Sequence, residues 1–170
     1  MTHSTQGPIS AKQLSHRLLN IAVNQRETKA DISGVQSKAA VNWVAVEYEM
    51  QMMRIVAVGW AISYFSSEAA APENLSETFW EGVGVYCAAV SSMTAPVLGS
   101  GSDYFGTVRQ RLDHYVQVMA HFPDVADPAR VIGPTFAKLC GCGENADVIS
   151  LGRRVFSRCL ARVQEQLLSC

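Results

Sequence analysis

The chain has 170 residues, 48% of them hydrophobic and 17% charged, and a formal net charge of −1 at pH 7. This composition excludes an intrinsically disordered chain and fits one domain large enough to bury a core without covalent staples. The near-zero net charge supplies no field that would gather nucleic acid or an anionic membrane.

Residues 1–9 read as a loose N-terminal tail and 10–170 as a single helical domain. The tail has neither a basic segment nor an apolar one behind it, so a cytoplasmic protein without a secretory signal is expected. Ser10 and Gln13 form a capping box that opens a helix through about Gln25, with Leu14, Leu18 and Ile21 on its apolar face. Gly34 falls in a connection. A central helix then spans about 36–66. Two apolar stripes recur in it at helical spacing, one through Val44, Tyr48, Ile55, Val58, Ile62 and Phe65, the other through Val46, Met50, Met53, Ala57, Trp60 and Tyr64. From Ile55 onward almost nothing polar remains, and a helix apolar on every side must be buried on every side.

Pro72 marks the next loop, and Asn74 with Glu77 reads as a second capping box for a helix from about Leu75 to Thr94. Pro96 and the run Gly99 to Ser102 predict a turn. A helix from about Asp103 to His121 carries Phe105, Val108, Leu112, Tyr115, Met119 and Phe122 as one unbroken stripe. Asp127 before Pro128 starts a short helix, which Gly133 and Pro134 should kink and the Cys140–Gly143 run should end. A last helix covers about Ala146 to Leu168, with Ile149, Phe156, Val163 and Leu167 toward the core. Strand patterns and internal repeats are missing. The expected fold is therefore all-α, a single-domain bundle of five or six helices around a buried central helix.

Two apolar runs test a membrane span. The uncharged run between Arg54 and Glu68 is too short, and the one between Glu81 and Asp103 is broken by glycines and Pro96. No membrane segment is expected.

Chemical constellations are few. His114 and His121 lie two turns apart on one helix, roughly 10 Å, too far to share one ion. Cys140 and Cys142 form a C-x-C, but no second cysteine pair lies near them to complete a structural zinc site. Five cysteines at irregular spacing do not form a disulfide framework. No metal and no cofactor are expected. Glu47 and Arg54 share a side of the central helix and predict a structural ion pair. Phosphate-loop, dinucleotide-loop, nucleophile-elbow and zinc-protease motifs are all absent.

The most concentrated charge is on the last helix, where Arg154, Arg158 and Arg162 recur one turn apart with Arg153 beside them. Such a stripe can grip an acidic partner, and an acidic edge at Glu68, Glu73, Glu77 and Glu81 is its counterpart within the chain. A non-catalytic helical protein acting through protein–protein contact follows, as adaptor, regulator or inhibitor, with Arg153, Arg154, Arg158 and Arg162 as the contact. Its partner is another protein or a second copy of itself, and not nucleic acid, because aromatic interleaving is missing. One alternative is a pocket for an apolar ligand walled by Trp43, Met50, Met53, Trp60 and Tyr64, because methionines adapt their shape and aromatics supply area. A second alternative is an enzyme whose residues are too scattered to form a motif.

Overall fold

The computed structural model describes residues 9–35, 41–67, 69, 71–98 and 103–169, with the backbone alone for 95–98. Its elements are α1 (Ala11–Ala22), α2 (Gln25–Ser33), α3 (Trp43–Phe65), α4 (Leu75–Leu98), α5 (Tyr104–Ala120), α6 (Ala129–Leu139) and α7 (Ala146–Leu168). The described chain is all-helical and packs as one bundle around α3, which touches each of the other six helices.

The starts are set by polar caps. Ser10 and Gln13 form the expected reciprocal box at α1. Asn24, Asn42, Asp103 and Asn145 each accept from a backbone N–H of the helix that follows. Each such cap stabilises by about 1 kcal/mol. Asp127 Oδ1 accepts from Ala129 N at 3.0 Å, the role expected of it at α6. At α4, Asn74 takes the left-handed conformation, φ 64°, and its carbonyl accepts from Thr78 N.

Several boundaries differ from expectation. The central helix starts at Trp43, because Asn42 turns out of the helix to cap Ala45 N. The predicted start at 36 lies outside the described residues. Helix α2 occupies what reads as the end of the first helix and a connection. Helix α4 runs through Pro96 to Leu98, and α6 continues through Pro134. The predicted turn at 99–102 lies outside the described residues.

In α3, every residue from Met52 to Gly59 is buried. Met50, Met53, Ile55, Val58 and Ile62 are all closed to solvent. The first turns depart from that pattern, since Val44 is 79% exposed and Tyr48 is also open. Gly59 is where α4 comes closest. A Cβ there would overlap Trp80 Cζ2 and lie 3.0 Å from Cη2, so the ring packs directly on the α3 backbone. Gly152 serves the α6–α7 contact in the same way, with Phe136 Cδ1 2.6 Å from where its Cβ would be.

Candidate functional site

Two features stand out from the packed core, one charged and one apolar. The charged one begins with Arg54, which is 1% exposed on α3. A lone buried guanidinium is prohibitively costly, so its partners define the local structure. Arg54 Nη2 donates to the Ile21 carbonyl at 2.6 Å and to Glu27 Oε2 at 2.9 Å, and Nη1 lies 3.9 Å from Asp31 Oδ2. From the other side, Arg162 Nη1 donates to both Glu27 oxygens at 2.7 and 2.8 Å. Arg158 grips both oxygens of Asp31. Two carboxylates on α2 are thus clamped between one arginine of α3 and two of α7.

This corrects the sequence-based pairing of Glu47 with Arg54. The partners are Glu27 and Asp31, because α2 lies across that face of α3. It also gives Arg158 and Arg162 partners within the chain, on α2 and not at the Glu73–Glu81 edge; Glu68 lies outside the described residues. Arg153 and Arg154 stand exposed on α7. Burial pushes the Glu27 carboxyl up, but hydrogen bonds and charge from Arg54 and Arg162 together outweigh it and hold the group below its ordinary range.

A second, part-buried ion pair joins α3 to α5. Arg111 holds Glu49 bidentately, Nε to Oε2 at 2.7 Å and Nη2 to Oε1 at 2.5 Å. Tyr115, one turn on, buries its hydroxyl without a hydrogen-bond partner. Burial, then the nearby Glu49 charge, pushes that phenol up. Because the hydroxyl is buried and unsatisfied, Tyr115→Phe is expected to leave stability unchanged or raise it by up to about 1 kcal/mol. Chemical denaturation checks this; a loss above that size would mean the hydroxyl has a partner, such as a buried water.

Among the described residues the cysteines show no activated chemistry. Cys87, Cys140, Cys142 and Cys159 are free, and all but Cys142 are buried. Burial and then the Asp103 charge push Cys87 up to about 11, and burial raises Cys140 and Cys142 as well. Thiols shifted that way carry little thiolate at neutral pH. His114 and His121 lie exposed on α5 and at its end. Among the described residues no three His, Cys, Asp or Glu side chains gather as a metal site. No described helix is long and apolar enough to cross a membrane.

The apolar feature is a trough of about 490 Å3 at one end of the bundle. Its walls are the C-terminal turns of α3, the 121–128 connection, and single residues from α5, α6 and α7. Trp60 and Tyr64 stack at 4.9 Å with 17° between their planes, and Trp60 leans on the buried Phe156. Tyr64 is 56% exposed and Phe122 is 53% exposed. A second hollow of about 400 Å3 lies against the same Phe122, Val125 and Val131, between Val118 and Pro134. Of the ligand wall expected from sequence, Trp60 and Tyr64 line the trough. Met50 and Met53 are plain core, and Trp43 is half-buried at the start of α3. The wall is split because Trp43 and Tyr64 lie twenty-one residues apart on one straight helix, roughly 30 Å.

No family model, curated protein or solved structure matches this chain.

Tyr64 and Phe122 are exposed trough residues that the apolar stripes placed in the core, and for Phe122 the end of a helix explains the difference. The α5 stripe projects Phe122 inward, but α5 ends at Ala120. His121 takes the cap, and its ring Nδ1 lies 2.7 Å from the Gln117 carbonyl. The chain leaves the helix there, and the stripe's phase no longer sets where Phe122 goes.

Proposed function

We propose that this protein acts by binding a partner protein, without chemistry of its own, and that the trough beside Trp60, Tyr64 and Phe122 is the docking site. The observation that carries this reading is the pair of aromatic rings, each more than half exposed, on an apolar trough of about 490 Å3. Exposed apolar patches of this kind mark contact surfaces, and aromatic anchors dominate contact energies. An amphipathic helix or an extended apolar segment fits an open trough. Arg153 and Arg154 are the part of the arginine stripe left for a partner's carboxylates, because Arg158 and Arg162 already hold Asp31 and Glu27. A cytoplasmic site of action belongs to the same proposal, since buried free thiols suit a reducing compartment.

A second reading, an apolar small ligand, is favoured by the trough's volume, which falls in the range of ligand sites, about 300–1,000 Å3. One experiment separates the two. Tyr64→Ser with Phe122→Ser removes both exposed anchors at little expected cost to folding. Partner proteins retained specifically by wild type, or a dimer seen by sedimentation, should be lost in the double variant at an unchanged unfolding midpoint. Binding of proteins and self-association that do not respond to the variant would sink the docking reading. An apolar small molecule that co-purifies with wild type and not with the variant would select the ligand reading instead.

A further inference from the structure

At the α1–α2 junction, away from the apolar trough, lies a polar hollow of about 410 Å3 lined by Arg17, Asn20, Ile21, Asn24, Arg162 and Gln166. We propose that this hollow is an oxyanion site for a phosphoryl group, either free phosphate or the phosphate of a small phosphorylated compound. Two guanidiniums and three carboxamides line it, and no carboxylate does. Arg17 makes no ion pair among the described residues. Arg162 spends Nη1 on Glu27, which leaves Nε and Nη2 for other acceptors. Two guanidinium edges meeting one tetrahedral dianion is the arrangement in which arginine binds phosphate best.

The backbone agrees with that charge. Asn24 caps α2 at the hollow's edge and takes up Glu27 N. The N–H groups of Gln25 and Arg26, in the first turn, have no acceptor within the helix, and the positive end of the α2 dipole lies with them. The opposing negative end of α1 is answered, because Arg54 Nη2 donates to the Ile21 carbonyl.

A third, independent observation comes from beneath the hollow. The cluster holds Arg54, Arg158 and Arg162 against only Glu27 and Asp31, and Arg17 raises the count to four guanidiniums against two carboxylates. Arg54, 1% exposed, also buries Nε and Nη1 without a hydrogen bond. Arg54 does not line the hollow and its Nη1 faces Asp31, so what it adds is excess positive charge behind the Ile21 wall, which one bound anion would offset at a distance. The volume exceeds the needs of a bare phosphate and leaves room for a small organic body.

The test is calorimetric titration of the full chain with inorganic phosphate and, separately, with phosphoserine, at fixed ionic strength set by chloride. Saturable binding is expected with wild type. Arg17→Gln should weaken it by about tenfold or more. Arg17 is exposed and unpaired, so that variant should unfold at the wild-type midpoint, whereas Arg162→Gln also disturbs Glu27 and is the poorer probe. Tighter binding of phosphoserine than of phosphate would assign the site to a phosphorylated compound, and equal binding would assign it to phosphate itself. Absence of saturable binding by both probes, or binding that Arg17→Gln leaves unchanged, overturns the proposal.

Discussion

Gly59→Leu and Ile55→Asp are each expected to destabilise the protein severely, with urea midpoints well below wild type. The two act through different physics at one place. At Gly59 the indole of Trp80 lies on the α3 backbone, so any Cβ overlaps the ring and a leucine must drive α4 away from α3. Overpacking typically costs about 1–3 kcal/mol, and here the obstacle is a rigid ring and not the end of a flexible side chain. At Ile55, 1% exposed, an aspartate would bury a carboxyl on a helix whose Met52, Val56 and Val58 are themselves closed to solvent, so that it must either stay charged without a partner or take up a proton. An unpaired buried carboxylate costs several kcal/mol against a total stability of about 5–15. Val44→Asp, on the same helix at a site 79% exposed, should shift stability by no more than about 0.5 kcal/mol. Urea denaturation of the three variants measures the contrast. An Ile55→Asp midpoint equal to wild type would mean that α3 is not the centre of the bundle.

That contrast shows which part of the fold was legible. An apolar surface all round needs no partner to be identified, so the burial of Ile55 to Gly59 can be read from the sequence, while the same reading carried on to Phe65 fails at Ser63 and Tyr64, which are exposed. The exposed first turn could not be, since Val44 continues the same spacing and nothing local says where coverage by neighbours ends. Helix α2 was hidden for a different reason. Its nine residues, QRETKADIS, contain only Ala30 and Ile32 as apolar residues, so hydrophobic periodicity is almost silent. What fixes it is charge pairing between residues 23 to 135 positions apart. The arginine stripe on α7 was visible, but its acceptors lie on the element that pattern reading missed. The trough suffered from the same limit, because Phe122 leaves the α5 stripe only once the helix has ended.

Asp31→Ala is expected to cost more stability than Arg54→Met, although Arg54 is the more deeply buried of the two. Removing Asp31 leaves the Arg54 guanidinium buried with only Glu27 and the Ile21 carbonyl as acceptors. It also frees Arg158, whose side chain is 37% exposed and can turn to water. Breaking a buried pair from the acid side costs about 3–5 kcal/mol, mostly from the charge left behind. Removing Arg54 strands nothing charged, since Glu27 keeps Arg162 and Asp31 keeps Arg158. Its expected cost, about 1–3 kcal/mol, is that of an Ile21 carbonyl without its donor. Replacing Arg154, Arg158 and Arg162 together by Gln should lower stability too, because both acids then depend on Arg54 alone. The network should also respond to acid. Glu27 titrates below its ordinary range in the fold, so its contribution is fully present above the unfolded value of 4.5 and is lost as pH falls through the lower folded value. Wild type and Glu27→Gln should therefore differ at neutral pH and converge on acidification. Denaturation at a series of pH values measures both effects. If Asp31→Ala unfolds at the wild-type midpoint, or if the Glu27→Gln difference persists unchanged into acid, the clamp on α2 does not hold the helix, and apolar contacts of Ile32 and Thr28 must do so instead.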